Sequence, residues 1–511
     1  MLPVVNSLFR TYLRRFRGEL RAHYDAPDEL QRRTLHKLLR DNRTTAFGKE
    51  HGFTDILTGK RPFAAAVPVR DHDAHLPYFE RILLRGERNT LTAEPPSWIA
   101  TTSGTTGAVK RLPLPYYAIR DIYLRGSWLS LAILYAKRPD ARVFSSRNLL
   151  IGGAYKGIHK PSGLPQADIS AIIIRNIPKI MRPFYIPDVE LATAGDYETK
   201  IERIAQLAAR EEGITVLGGV PTWNLPLYRR ILELHGGDHM LDVWPHAQVF
   251  KHGGVNFEPY REQFRRLFPD PNFVFQEIYN ATEGFFAVQD VDRDPGLLLL
   301  LSNGIYYEFV PWTDYQAGDY GAAVPLERVR TGETYVMLIT TAAGLYRYPM
   351  GDLIEFREVN PYRIIILGRT QEFINAFGED FLRAEAEGAL LAACADAGAL
   401  VRDFTVGPEY ITLGERGRHH WLIEFEQAPA NMAAFERRLD EEVKLRNYNY
   451  AAKRTNNFAL NPLHITSLPN GFFRSWLKAR GKLGGQHKVP RLANHRRFID
   501  DILRQLAASG E

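Results

Sequence analysis

A run of small polar residues separates two apolar segments of the sequence. Residues 98–113 read WIATTSGTTGAVKRLP, and no bulky side chain occurs from Thr101 to Gly107. Small residues let the backbone approach a ligand closely, and successive N–H groups with hydroxyls form a concave donor site for phosphate oxygens. Lys110 adds a mobile positive charge. The order GxxxxGK[ST] is absent, so this stretch alone is equally consistent with a polar surface turn.

A second group of chemically capable residues follows a β-rich run. In FQEIYNATEGFFAVQ, Tyr279, Thr282 and Glu283 come at the predicted end of a strand. An aromatic face, a hydroxyl and a carboxylate at one place can stack a base, bind phosphate and hold magnesium. Taken singly, the tyrosine is also typical of a core position and the carboxylate of a turn.

Two further residues stand in glycine-containing contexts. Asp352 follows a glycine in YRYPMGDLIEF, where a carboxylate can accept hydrogen bonds from two ribose hydroxyls, although a turn or cap residue is the alternative. Lys488 lies in GGQHKVPRLAN, in a loop flanked by glycine and bounded by proline. A lysine in such a loop can move over the reacting groups of a bound substrate, or it can be a solvated surface charge.

The elements that must position these residues alternate in type. Residues 30–42 space their apolar positions as a helix does, whereas 214–219 and 272–279 are short apolar runs typical of buried strands. This alternation favours an α/β body. Between residues 305 and 367 four successive strand-like runs without helical stretches predict an antiparallel meander or small barrel.

The composition changes again after residue 369. A helix-like segment, a hairpin at 404–426, a second helix and a strand predict a compact C-terminal α+β domain that is joined near Arg369 to Phe373. We therefore expect domains at 1–368, with the barrel-like part at 305–367, and at 369–511.

Length and composition limit the class of protein. The chain has 511 residues, of which 45% are hydrophobic and 24% charged, and its net charge is only +6. These values are ordinary for a globular protein, and the small positive excess suits anionic substrates as well as nucleic acid. One cysteine, Cys394, excludes an internal disulfide framework and a multi-cysteine metal site. The N-terminal segment lacks a signal-peptide pattern and no apolar run is long enough to span a bilayer, so a cytoplasmic protein is expected.

In their order along the chain, the four motifs resemble those of the adenylate-forming superfamily. The closer resemblance is to the auxin-responsive acyl-acid amido synthetase family, in a bacterial-type form. The first loop is similar to that family's SSGTSxGxxK, NATEGFF to its second motif and YRYPMGD to its third. Framework stretches such as GGVPTWNLPLYRRI, GGVNFEPYREQF and the closing HKVPR agree as well, so the similarity extends over nearly the whole chain.

The resemblance implies a fold and a role for each residue. It implies a luciferase-like architecture: a large N-terminal domain of β-sheets flanked by helices with a small barrel-like part, and a smaller mobile C-terminal domain. The implied ligands are ATP and magnesium. The implied contacts are Ser103, Thr105, Thr106 and Lys110 with the ATP phosphates, Tyr279 with adenine opposite Gly254 and Val255, Thr282 with the α-phosphate, Glu283 with magnesium, Asp352 and Arg369 with the ribose, and Lys488 as the catalytic lysine.

The reaction implied by the resemblance has two halves. A carboxylic acid attacks the α-phosphorus of ATP and releases pyrophosphate, and the amine of an amino acid then displaces AMP to form an amide. The C-terminal domain is expected to rotate between the halves, carrying Lys488 in and out. The expected partners are small acids and amino acids, with no nucleic acid and no membrane span, and a monomer is expected.

Two alternative functions remain open, and the sequence departs from the family pattern at two places. An acyl-CoA ligase would share the first half-reaction, and a non-catalytic nucleotide-binding protein would keep the loops. The family's GEKxxE stretch is represented here by FGEDFLRAE, with Asp380 where a lysine is common, so contacts inferred from that lysine are open. The hinge segment reads Gln371-Glu372 where the wider superfamily often has paired acids, which leaves the pivot residue open.

Overall fold

A computed structural model gives the fold of the chain. It describes residues 2–102, 110–291, 296–370, 373–412, 414–457, 459–480 and 489–509. Three of the expected phosphate contacts, Ser103, Thr105 and Thr106, lie outside these ranges, as do Lys488 and the hinge pair Gln371-Glu372.

A twelve-stranded sheet forms the centre of the molecule. Its order is β13-β12-β14-β15-β16-β11-β10-β9-β8-β7-β3-β6. The five strands from β9 to β6 in that order are parallel neighbours. Their bounds are β3 Arg147–Leu150, β6 Tyr185–Ile186, β7 Ile214–Gly219, β8 Val249–His252 and β9 Val274–Ala281. The strands predicted at 214–219 and 272–279 are therefore confirmed in this α/β part.

The other strands of the large sheet pair antiparallel. They are β10 Gly284–Val288, β11 Leu297–Leu299, β12 Ile305–Pro311, β13 Val324–Pro325, β14 Thr334–Thr341, β15 Tyr348–Val359 and β16 Tyr362–Arg369. The antiparallel pattern predicted for 305–367 is confirmed. These strands continue the parallel half in one hydrogen-bonded sheet because β16 pairs with β11. The connections between these strands contain the short helix Trp312–Gln316 and two 3-10 helices, Tyr320–Ala322 and Leu326–Arg328, whereas the sequence pattern predicted no helical stretch there.

A separate four-stranded sheet carries the first loop. Its order is β2-β1-β5-β4, with β1 Pro96–Thr102, β2 Lys110–Pro115, β4 Tyr155–His159 and β5 Leu164–Asp168. Strands β1 and β2 are antiparallel, and Thr102 pairs with Lys110 across the loop. Strand β1 is parallel to β5, so Thr101 and Asp168 lie side by side.

The C-terminal part contains two small sheets. They comprise β17 Phe373–Ile374 with β18 Phe381–Leu382, and β19 Leu400–Glu409, β20 Arg418–Gln427 and β21 His464–Leu468. The hairpin predicted at 404–426 corresponds to β19 and β20, which pair antiparallel. The second predicted helix begins after Asn431, whose side chain accepts a hydrogen bond from Ala434 N (3.0 Å) and so caps the helix.

Helices cover both faces of the large sheet. Those before residue 300 are α1 Leu2–Leu13, α2 Arg17–Asp25, α3 Pro27–Asn42, α4 Ala46–Glu50, α5 Phe53–Leu57, α6 Phe63–Ala66, α7 His72–Leu83, α8 Tyr116–Ala118, α9 Arg125–Lys137, α10 Ile169–Arg175, α11 Val189–Ala192, α12 Tyr197–Ala208, α13 Pro221–His235, α14 Met240–Val243 and α15 Glu258–Leu267. The remainder are α16 Trp312–Gln316, α17 Arg383–Ala397, α18 Met432–Arg446, α19 Tyr448–Arg454, α20 Phe472–Ala479 and α21 Arg497–Ser509. A π-helical stretch, Ile119–Leu124, joins α8 to α9.

The two faces of the parallel strands belong to different hydrophobic cores. On β8, Val249 packs in a core that includes α9, whereas its neighbour Phe250 packs in a second core. This follows from the alternation of side chains along a strand. The second core also contains Trp421 and Val443 of the C-terminal part. Within the described residues, no helix combines the length and apolar character that crossing a membrane requires.

Candidate functional site

Asp352 is the centre of a buried polar cluster at the junction of the parallel and antiparallel halves. It lies on β15 directly opposite Arg369 of β16. Arg369 Nε donates to Asp352 Oδ1 (2.9 Å), and the Tyr279 hydroxyl donates to Asp352 Oδ2 (2.5 Å). A carboxylate oxygen has two acceptor positions, so each oxygen can accept one further hydrogen bond. The cluster is thus able to receive a pair of hydroxyls.

The residues of this cluster are accessible to different degrees. Tyr279 is only 8% exposed and its ring packs against Phe286 at 4.8 Å between centroids. Only a narrow part of the ring is therefore accessible for stacking with a nucleotide base. The Tyr279 hydroxyl orients Asp352. The Arg369 side chain is 30% exposed. Of the three, the guanidinium is best placed to reach a bound molecule.

Thr282 and Glu283 form the two-residue connection between β9 and β10. Ala281 pairs with Gly284 across this turn. The Tyr123 hydroxyl donates to the Thr282 carbonyl oxygen (2.6 Å), which holds the turn against the helical segment that follows β2. Tyr123 is a supporting residue that the sequence motifs did not reveal, because it lies 159 positions from Thr282.

Electrostatics link Glu283 to the first loop. Burial raises the pKa of the Glu283 carboxyl, while the positive charges of Arg369 and Lys110 act in the opposite direction. Lys110, at the start of β2, is thus close enough to influence the carboxylate of a residue far away in sequence. A single carboxylate fits a magnesium ion that takes its remaining ligands from phosphate and water. No cluster of three or more His, Cys, Asp or Glu suited to a metal occurs within the described ranges.

Gly254 and Val255 follow β8, the neighbour of the strand that carries Tyr279. A Cβ atom added to Gly253 would lie 2.3 Å from the Ile278 carbonyl oxygen, so the glycine permits close approach of the two backbones. Gly254 has a φ of +84°, which favours glycine. Its carbonyl oxygen accepts a hydrogen bond from Asn375 Nδ2 (2.9 Å), which connects this loop to the C-terminal part.

Asp380, the departure from the family pattern, lies near the same cluster. Its φ of +48° is in the left-handed region that aspartate tolerates. Burial raises the pKa of the Asp380 carboxyl, and the nearby charges of Arg369 and Lys453 oppose that shift. Lys453 donates to the Gly378 carbonyl oxygen (2.9 Å). A lysine from α19 therefore places a cation close to the position where the family commonly has one.

The structure thus brings six of the expected site residues into one region: Lys110, Tyr279, Thr282, Glu283, Asp352 and Arg369. The GGV loop lies beside them. The framework stretch GGVPTWNLPLYRRI contributes Leu225, Leu227 and Tyr228 to the second core, where they are fully buried.

Comparisons with known proteins assign the chain to a family. The chain matches the GH3 family N-terminal domain at residues 17–208 and 199–273, the central domain at 298–369 and the C-terminal domain at 384–497. An indole-3-acetic acid-amido synthetase GH3.8 of Oryza sativa subsp. indica is 24% identical over 93% of this chain and 89% of its own length. The match to indole-3-acetic acid-amido synthetase GH3.10 of Arabidopsis thaliana is 27% identical over 50% of this chain and spans only 47% of that protein.

Solved structures show the same fold at low identity. The GH3.15 acyl acid amido synthetase in complex with 2,4-DB superposes with a TM-score of 0.56, 18% identity and coverage of 95% of this chain and 96% of that one. A 2-hydroxyisobutyryl-CoA ligase superposes with a TM-score of 0.55 and 14% identity, over 95% of this chain and 94% of that one. The predicted luciferase-like, adenylate-forming architecture is confirmed. Since the three family domains match in order over most of its length, the chain belongs to the GH3 family.

Proposed function

We propose that the protein is an ATP-dependent acyl-acid amido synthetase. It joins a carboxylic acid to the amine of an amino acid through an acyl-adenylate. The observation that supports this most directly is the Asp352, Tyr279 and Arg369 cluster, which lies beside the Glu283 turn and Lys110 in a chain of the GH3 family.

In the first half-reaction a carboxylate oxygen of the acid attacks the α-phosphorus of ATP and pyrophosphate leaves. Negative charge accumulates on phosphate oxygens in the transition state, so fixed donors and cations stabilise it. Lys110 and the loop residues Ser103, Thr105 and Thr106 are proposed to hold the phosphates, and Thr282 the α-phosphate. Asp352 and Arg369 hold the ribose, and Tyr279 with Gly254 and Val255 flanks the adenine. Glu283 would hold a magnesium ion, which would supply positive charge against the phosphates.

In the second half-reaction the amine nitrogen attacks the acyl carbon and AMP leaves. We propose that residues 369–511 move relative to residues 1–368 between the two steps, with Lys488 serving the first. The hydrogen bond from Asn375 to the Gly254 carbonyl is one contact that this movement must break or re-form. Cytoplasmic location and a monomeric state remain predictions.

Glu283→Gln is expected to raise the magnesium concentration required for pyrophosphate release by about tenfold or more, because an amide oxygen is a weaker ligand than a carboxylate. Burial raises the pKa of Glu283. Its carboxylate is therefore lost as the pH falls towards that raised pKa, and the wild-type magnesium requirement should increase in this direction. The variant should lack that pH dependence. Magnesium titrations at several pH values provide the measurement, with the exposed Glu258→Gln as a matched control.

The acceptor molecule distinguishes the proposed reaction from that of an acyl-CoA ligase. An acyl-CoA ligase is the second candidate, because the 2-hydroxyisobutyryl-CoA ligase shares this fold. A library of carboxylic acids should first be screened for ATP-dependent pyrophosphate release with the twenty amino acids pooled. With an active acid, and with CoA offered in competition, mass spectrometry is expected to detect an acyl-amino acid amide and AMP with little acyl-CoA. Predominant acyl-CoA would contradict the amide assignment and leave the adenylation step intact.

A further inference from the structure

Lys251 is a partly buried lysine on the face of the large sheet that packs against α9. It lies on β8, where it pairs with Gly218 of β7 and with Gln276 of β9. Directly paired residues of neighbouring strands point to the same side, so Lys251, Gly218 and Gln276 share a face. The Lys251 ammonium donates to Ser130 Oγ of α9 (2.8 Å), which identifies that face.

The ammonium has no carboxylate partner in the part of the chain that the structure describes. Its hydrogen bond to Ser130 is with a neutral group, and burial alone lowers the pKa of Lys251 to about 7. Two buried lysines, Lys200 and Lys453, differ in this respect. Burial lowers the pKa of each, but nearby carboxylates oppose that shift, chiefly Asp168 at Lys200 and Glu379 at Lys453. A buried cation without an opposite charge is costly. An anion that bound there would remove this cost.

The surface around Lys251 leads towards the proposed adenylation site. On the same face of β9, Val274 and Gln276 are buried, whereas Ile278 and Asn280 further along are partly exposed. Lys251 is itself partly exposed. Partly exposed residues on this face thus occur at Lys251 and, on β9, at Ile278 and Asn280, in the direction of Thr282 at the carboxyl end of that strand.

The distance along this surface suits an extended acid. Thr282 lies six positions after Gln276, which corresponds to roughly 20 Å between their Cα atoms along an extended strand. An acid that reacts near Thr282 can thus place its far end at the Lys251 ammonium, with its middle along Ile278.

We propose that Lys251 is a specificity-determining residue that binds a second anionic group of the acyl acid, so that preferred substrates are dicarboxylic acids. One carboxylate is adenylated and the other pairs with the ammonium, which also retains its bond to Ser130. This inference rests on the proposed function and adds the substrate class to it.

The test compares dicarboxylic acids with monocarboxylic acids of the same chain length. ATP-dependent pyrophosphate release is measured for each pair with the wild type, Lys251→Met and Lys200→Met. Methionine keeps much of the length and apolar stem of lysine but removes the charge. Loss of a hydrogen-bonded ion pair should lower kcat/KM for the best diacid on the order of ten- to hundredfold. The value for the matched monoacid should stay the same or rise in Lys251→Met.

The ratio of diacid to monoacid activity is the decisive readout, because a general loss of stability lowers both values together. Lys200→Met removes another buried lysine and should leave the ratio unchanged. An equal loss on both acids in Lys251→Met, or a wild type that prefers the monoacids, would overturn this inference and leave the proposed function standing. If no acid supports pyrophosphate release, the proposed function fails and the inference fails with it.

Discussion

Asp352→Ala is expected to raise the KM for ATP on the order of ten- to hundredfold, the effect of losing hydrogen bonds to a charged group. The substitution removes the acceptor that orients Arg369 and Tyr279, and it removes the free acceptor positions assigned to the ribose. ATP titrations of pyrophosphate release measure the change. Thermal unfolding of the same variant shows whether the buried cluster also supports the fold.

Tyr279→Phe is the matched control for Asp352. It deletes only the hydroxyl that donates to Oδ2 and retains the ion pair between Asp352 and Arg369. We expect a smaller increase in the KM for ATP than with Asp352→Ala. A folded Asp352→Ala protein with unchanged ATP titrations would show that the nucleotide site lies elsewhere.

Lys488→Ala should lower the rate of adenylation by about a hundredfold or more, since a cation that stabilises developing charge on phosphate oxygens is a large contributor to such a reaction. Aminolysis of a supplied acyl-adenylate should survive better, because Lys488 is assigned to the adenylation step and is expected to move out of the site for aminolysis. Pyrophosphate release and amide formation from the synthetic adenylate measure the two halves separately.

Lys482 provides a matched control because it is a lysine of the same GKLGGQHK stretch but does not occupy the motif position of Lys488. Lys482→Ala should affect both half-reactions little. A loss of similar size in both half-reactions of Lys488→Ala would contradict its assignment to the adenylation step.

Features that depend on neighbouring residues could be predicted from the sequence. The strand at 214–219 follows from a continuous apolar run, and the meander at 305–367 from strand-like segments separated by turn residues. The four motifs indicated a nucleotide site because small residues, a carboxylate and a lysine each occur in a short context that suits their chemistry. Each of these patterns is contained within a short stretch of the chain.

Features that depend on distant residues were decided by the tertiary structure. The pairing of β16 with β11 joins the meander to the parallel half, and no local pattern specifies that pairing. Tyr279 and Asp352 are 73 positions apart, yet one hydrogen bond makes them a unit. Lys251 looks like an ordinary strand residue in VFKHGG, and only burial between β8 and α9 shows that its charge lacks a partner. Burial and charge pairing arise from packing of segments far apart in sequence, so they are absent from any single stretch of it.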